Sequence, residues 1–315
     1  MNYMDGALII DKPIGLTSHD VVDQVRRILH ERRAGHTGTL DPFATGVLVL
    51  LLGRATRLAQ FLSGLEKEYE AVIRLGHTTD TGDLTGKRTS DNNVNLKPEQ
   101  WTREELETAL ASLRGDIDQV PPMYSAKKQA GRKLYELARE GQEVERKAVR
   151  VCIHKFEAIK PTGELLKDNL DGTFDFKVRV ECSAGTYIRM LAEDFGRRLN
   201  VGAHLAELRR TRVGDMPIDD AKTVEQVKVA FGEESLGKIL YKPDEALTRL
   251  PFVDVAADDL HRARHGLDIK VAKAAWSDGE RVRLRDETRN LIAVAVFNAA
   301  EGTLHPSVVI AQETS

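Results

Sequence analysis

Gly35-His36-Thr37-Gly38-Thr39-Leu40-Asp41-Pro42, with the apolar run Val47 to Leu52 a few residues on, is the stretch on which the reading of this chain turns. It sets one carboxylate, Asp41, at the end of a glycine-punctuated loop. Gly35 and Gly38 can take φ values closed to other residues, so a sharply turning loop with an approachable backbone is expected. Pro42 fixes the backbone just after the acid and biases Asp41 away from helix. The six apolar residues read as a buried element. Together they suit an acid displayed in a cleft by a rigid scaffold. The same spacing also fits an Asp-Pro turn, whose carboxylate bonds only neighbouring N–H groups.

Outward from this stretch the chain alternates strand-like and helix-like segments. Ala7 to Ile10 reads as a short strand. Ser18 is expected to cap a helix carrying Val21, Val22, Val25, Ile28 and Leu29 on one face. Tyr69, Ala71, Ile73 and Leu75 alternate with Glu70, Val72 and Arg74, as in a half-buried strand. Residues 77–100 are rich in Asp, Thr, Asn and Gly and read as a long loop. Thr102 with Glu105 forms a capping box before a helix bearing Leu106, Leu110 and Leu113. Phe176, Val178, Val180 and Cys182 alternate with Lys177, Arg179 and Glu181 in another strand. Gly185 breaks it, and a helix follows with Ile188, Leu191, Ala192, Phe195 and Leu199 inside. Tyr187 and Arg189 therefore start a helix beside a strand end. An arginine sits poorly there, because the helix dipole prefers negative charge, so Arg189 needs another partner. Segments 163–175 and 232–238 read as loops. Residues 251–315 hold short strand-like runs, Glu280 to Leu284 and Leu291 to Phe297.

At 315 residues the chain can bury a sizeable core, and one large domain plus one small one is the natural expectation. Hydrophobic residues at 41% and charged residues at 30% are ordinary for a soluble protein. The longest apolar run, about six residues, is far short of the roughly 20 needed to span a membrane. No signal peptide is read at the N-terminus, and a cytoplasmic location is expected. Cys152 and Cys182 sit in no CxxC or Cys/His cluster, so neither a zinc site nor a disulfide framework is expected. The net charge of −3 argues mildly against nucleic acid. Its distribution argues the other way: residues 120–150 and 176–214 each hold eight Lys/Arg against four acids. One basic face on an otherwise acidic protein would follow; solvated helix faces are the plainer reading.

GHTGTLDPFATGVL resembles the catalytic motif of the TruB family, the tRNA pseudouridine-55 synthases. Five further stretches resemble the family's other elements in its order. They are Lys12-Pro13-Ile14-Gly15 with Ser18, Lys67-Glu68-Tyr69-Glu70-Ala71, and Pro121 to Lys128 running on to Arg139. Cys182 to Arg189 and Ala203 to Arg210 complete the set, and together they cover most of residues 8–214. The resemblance implies an α+β fold. Residues 1–248 would form a pseudouridine synthase catalytic domain with a mixed, largely antiparallel sheet and a thumb-like RNA-binding segment at about 120–150. Leu304 to Ile310 resembles the close of a PUA domain, so residues 249–315 would form a small PUA-like β-barrel.

By the same resemblance the chain isomerises uridine 55 in the T arm of tRNA by base flipping. It needs no cofactor, no metal and no obligate protein partner. Asp41 is the essential carboxylate, Arg189 its ion-pair partner and Tyr187 a third catalytic group. His36, Tyr69, Tyr187 and Leu208 contact the substrate. Lys12 supports the active-site loop or meets phosphate. Lys127, Lys128, Arg132 and Lys133 in the thumb, and Arg209, Arg210 and Arg212, are RNA-contact candidates. An Asp of ordinary pKa, about 3.9, is ionised at neutral pH. Attack on the sugar, attack on the base and removal of a ribose proton all remain open to it. Lys87–Gln100 and residues 163–175 are longer than the family pattern, and Ala184 stands where many members carry lysine. A tRNA-binding folding chaperone is the main alternative. A guide-RNA-dependent relative and a hydrolase using Asp41 as base are the others.

Overall fold

The computed structural model describes residues 4–89, 96–97, 100–125, 128–129, 132–133, 137, 140, 142, 144–159, 164–271 and 275–310. The strands run β1 (Gly6–Lys12), β2 (Ala34–His36), β3 (Thr45–Leu52), β4 (Lys67–Leu75) and β5 (Gly115–Gln119). β6 (Lys128–Gln129) and β7 (Arg132–Lys133) pair with each other. β8 (Val149–Ala158), β9 (Leu166–Asp168), β10 (Phe174–Cys182), β11 (Ala203–Val213) and β12 (Met216–Pro217) follow.

One sheet takes the order β1-β3-β11-β4-β10-β8-β5, with β2, β9 and β12 added at its margins. Among the described strands only the β3–β11 pairing of this sheet is parallel, so the sheet is mixed and largely antiparallel. Alternation explains its two faces. Lys67, Tyr69, Ala71, Ile73 and Leu75 of β4 point inward, opposite Cys182, Val180, Val178, Phe176 and Phe174 of β10. The helix Ile188–Arg198 covers that face, with Phe195 stacked on Phe176 at 5.3 Å between ring centroids. On the other face the charges pair across strands. Glu70 meets Lys177 and Arg179, Arg74 meets Asp175, and Arg212 meets Glu68 and Glu181. Much of the positive balance in residues 176–214 is therefore spent on ion pairs rather than on a free basic surface.

β3 and β11 approach closely because Gly46 allows it. It holds φ +98°, and a Cβ there would lie 2.2 Å from the Arg210 carbonyl oxygen. Gly35 and Gly38, expected to provide left-handed turns, are not among the glycines with positive φ. The loop bends instead at Pro42, where Ala44 N–H donates to the Asp41 carbonyl in a tight turn.

Several other expectations need correction. The cap of the helix Ser18–Leu29 is Thr17, whose hydroxyl accepts the Asp20 N–H while the Asp20 carboxylate accepts the Thr17 N–H. Ser18 turns inward: its hydroxyl accepts the Leu40 N–H and donates to the Leu40 carbonyl, pinning the loop before Asp41. Residues 163–175 are not wholly loop, since Leu166–Asp168 pairs with the start of β10. Cys152 and Cys182 are both free thiols. Among the described residues no helix is long and apolar enough to cross a membrane.

The C-terminal region carries β13 (Phe252–Asp254), β14 (Ile269–Lys270), β15 (Arg281–Arg285), β16 (Leu291–Asn298) and β17 (Thr303–Val309), with a helix at Ala257–Arg264. Its sheet order is β13-β15-β16-β17-β14. The order has two ends, and no pairing joins them among the described residues, so a closed barrel is not what the ladders draw. The region has its own core around Val282, Leu284, Ala293 and Leu304. It also shares one with the rest of the chain: Leu291, Val294 and Ile310 pack with Ala7, Ile9, Val49 and Leu51.

Candidate active site

Three segments converge on Asp41. The first is its own loop, held by Ser18 through Leu40 and by Lys12. Lys12 is completely buried, and its ammonium donates to the carbonyls of Pro13, Leu16 and Pro42. Burial pulls its pKa down to about 8, against the pull of the Asp41 charge. Lys12 thus supports the loop and presents no charge to phosphate.

The second segment is the start of the helix Ile188–Arg198. Arg189 Nε lies 3.1 Å from Asp41 Oδ2, with the arginine side chain 5% exposed and the aspartate 37%. No N–H of its own turn bonds the Asp41 carboxylate among the described residues, so the plain Asp-Pro turn does not describe it. Arg189 also donates to the carbonyls of Thr81 and Tyr124, each at 2.6 Å. Tyr187 immediately precedes this helix, and no side chain caps the turn. Gln119 at the end of β5 instead brackets Tyr187 itself: it accepts the Tyr187 N–H at 2.7 Å and donates to the Tyr187 carbonyl at 3.1 Å.

The third segment is Thr79–Gly86, within the stretch read as a polar loop. Gly82 and Leu84 bond the main chain of Leu205 in β11 and so bring Asp83 inward. Asp83 is buried, 3.8 Å from Arg189 Nη1, and its other oxygen accepts from Thr81, the Thr85 N–H and the Thr85 hydroxyl. Burial is the chief cause that lifts the Asp41 carboxyl above its ordinary value. The Arg189 charge opposes that lift and the Asp83 charge adds to it.

The first two segments, with β4 and β11, bound a cavity of about 260 Å³, and the Thr79–Gly86 segment backs Arg189 from outside its lining. Asp41 and Arg189 lie in its wall with Tyr69, Tyr187, Leu208 and Lys67. Register explains the company. Tyr69 faces Arg210 and Ala71 faces Leu208 across β4 and β11, so Tyr69, Leu208 and Arg210 share one face. A larger open groove between the helix Arg103–Ala111 and β8 lies apart from these residues.

The structure redistributes the expected RNA contacts. Arg210 is 2% exposed; it donates to the carbonyls of Val47, Gly38 and Thr39 and ties β11 to the Asp41 loop. It cannot also hold phosphate. Arg209 makes a two-pronged ion pair with Asp11, at 3.0 and 2.8 Å. Arg132 pairs with Glu140 on the surface. Lys127 lies outside the described residues, as do the side chains of Lys128 and Lys133. His36 sits on β2, half-buried, with Nδ1 unpartnered, and is not among the residues lining the cavity. Burial and the Arg210 charge push its pKa down.

Arg210→Met should therefore act on stability. Three carbonyls lose their donor at about 1–3 kcal/mol for each one left buried and unmet. The urea midpoint should fall, while the slope of log Kd for tRNA against log salt concentration should stay unchanged.

Sequence reasoning missed Asp83, Gln119 and the inward role of Lys67. Lys67 lies in one of the quoted elements; its buried ammonium donates to the carbonyls of Ser63 and Leu65, and its pKa falls to about 8.

The chain matches the family model for the TruB family pseudouridylate synthase N-terminal domain over residues 26–188. The model for the tRNA pseudouridylate synthase B C-terminal domain matches residues 189–248. It is 41% identical to a tRNA pseudouridine synthase B of Ralstonia pickettii, over 97% of this chain and 94% of that one. Its identity to the protein of that name from Aromatoleum aromaticum is 43%, over 91% and 87%. In three dimensions it resembles a chain from a crystal structure of a Cbf5–Nop10–Gar1 complex. The TM-score is 0.71 at 27% identity, covering 98% of this chain and 84% of that one.

Proposed function

The chain belongs to the TruB family of pseudouridylate synthases, and from that premise we propose that it converts uridine 55 in the T loop of tRNA to pseudouridine. The observation that carries this reading is the Asp41–Arg189 ion pair in the wall of a cavity lined by two tyrosines and a leucine. At about 260 Å³ that cavity is smaller than those that take drug-sized ligands, and it suits a single base.

In the reaction the N1–C1′ bond of uridine breaks and a C5–C1′ bond forms. The C5 hydrogen leaves as a proton and N1 gains one. No electron is gained or lost overall, so the chemistry asks for a carboxylate and a fitted cavity. Asp41 is the carboxylate. Arg189 fixes its position and favours its charged form. Taking the base out of its stack costs a few kcal/mol. Contact with the rings of Tyr69 and Tyr187 offsets about 1–3 kcal/mol of that. Leu208 closes the apolar wall. Tyr187 lines the same cavity with its main chain held by Gln119, and the late proton transfer from C5 is assigned to its hydroxyl.

The Cbf5 chain was solved with Nop10 and Gar1. Relatives of higher identity, 41% and 43%, carry the name tRNA pseudouridine synthase B, which supports action on tRNA itself. The test is tritium release from a T-arm stem-loop labelled at uridine C5. Forming the C5–C1′ bond must expel that hydrogen, so complete release is expected from the purified chain alone. Tight tRNA binding without release would favour the folding-chaperone reading instead.

A further inference from the structure

Hydroxyl groups are frequent in the wall of the Asp41 cavity, and two of them are committed to main-chain groups. Ser183 accepts the Cys152 N–H, and Thr186 donates to the Ser183 carbonyl. Ser125 differs. It is 5% exposed, it lines the cavity, and its Oγ has no hydrogen-bond partner among the described residues. A buried hydroxyl left unmet costs on the order of 1–3 kcal/mol. Its backbone is nonetheless held firmly. The Tyr124 carbonyl takes a hydrogen bond from Arg189, and the Ser125 N–H donates to Met123. The same guanidinium that pairs with Asp41 therefore sets where Ser125 stands.

We propose that Ser125 is a specificity-determining residue whose hydroxyl donates to a carbonyl oxygen, O2 or O4, on the imide edge (C2=O, N3–H, C4=O) of the flipped uracil. This rests on the uridine-isomerising function argued above. The chemistry of the turn favours a hydroxyl at such a place. Uracil leaves the sugar from N1 and rejoins through C5. A half-turn about the C6–N3 axis exchanges those two atoms. It also exchanges the C2 and C4 carbonyls and leaves N3–H on the axis. The edge that faces the protein thus presents the same acceptor–donor–acceptor order before and after the turn. A serine hydroxyl both donates and accepts and rotates freely. It can keep one hydrogen bond to this edge in either orientation, so the detached base stays in register while C5 comes to the sugar.

The experiment is single-turnover tritium release with stem-loops carrying uridine, 2-thiouridine or 4-thiouridine at the target position, each labelled at C5. Sulfur is a poor acceptor, so it weakens a hydrogen bond received at that position. Ser125→Ala should slow uridine turnover about three- to tenfold, the worth of one neutral hydrogen bond. It should also shrink the wild-type penalty for at least one thio substitution by a similar factor. Ser125→Thr, which keeps the hydroxyl, should recover both. A merely structural serine would slow all three substrates alike. Equal thio penalties in wild type and Ser125→Ala, or an unchanged rate with uridine, would overturn the assignment. Wild type inert toward plain uridine would instead sink the parent reading, and the role of Ser125 with it.

Discussion

Asp41→Asn stops C5 tritium release and leaves the fold at least as stable at neutral pH. Loss of a group acting in proton transfer costs about 10²–10⁴-fold, and loss of one that also attacks covalently costs more, so release should fall to background. The stability half follows from the environment of the carboxyl. Burial raises its pKa in the folded chain, and Arg189 only partly offsets this. Between the ordinary unfolded value and the raised folded one, the native state binds the proton more often. Stability therefore falls as pH rises through that window, and above it the ionised carboxylate is a standing cost. Asn resembles the protonated acid and escapes the cost. Urea midpoints at pH 7 should be equal or higher for the variant, and the difference should vanish below the ordinary Asp range. The same shift predicts that kcat/KM of the wild type falls with acid at a pH above that range, because the ionised form does the chemistry. A variant clearly less stable at pH 7 would mean that the Arg189 attraction outweighs burial.

Much of this architecture is legible in period and spacing. β4 and β10 alternate over their full length, and the capping box at Thr102 is where its Thr-x-x-Glu pattern puts it. The partnership of Asp41 with Arg189 is not visible in spacing, since the residues stand far apart in the chain; it came from resemblance, as did the shared wall of Tyr69 and Leu208. What stayed hidden has a common physical cause. Arg210 reads as a surface cation, because charged residues are rarely buried unless paired, and for Lys12 loop support and phosphate contact are both open in the sequence. Here they are buried as clamps on carbonyls whose positions only the fold defines. Asp83 was hidden by composition, since Asp, Thr and Gly in a row signal a loop whether it faces solvent or docks on β11. Gln119 was hidden because the main chain it brackets, that of Tyr187, belongs to a segment far away in the sequence. The charge pairs across β4, β10 and β11 likewise join residues far apart, so a local count of cations overstated the free basic surface.

Arg189→Met should be the most destabilising substitution at the site. The guanidinium serves two carboxylates and two main-chain carbonyls while almost wholly buried. Removing it leaves Asp83 and Asp41 near each other without a counter-charge. Taking one partner from a buried pair costs about 3–5 kcal/mol. It also frees the Asp41 carboxylate and the Tyr124 segment, and a displacement of about 1 Å at a reacting group costs on the order of 10²-fold in rate. Arg189→Lys should recover little of either loss, because one ammonium cannot replace a planar fork aimed at three segments. The two losses are separable. Without the arginine the Asp41 carboxyl loses the charge that opposes its upward shift, so the variant should regain stability as pH falls and that carboxyl takes up a proton. Pairing Arg189→Met with Asp83→Asn should recover part of the urea midpoint at pH 7, since one of the two uncompensated charges is gone. It should recover no tritium release, because Asp41 still lacks the group that aims it. A double variant as unstable as Arg189→Met would assign the cost to the orphaned carbonyls of Thr81 and Tyr124 rather than to the carboxylates. A double variant with restored turnover would make Arg189 a structural counter-charge and nothing more.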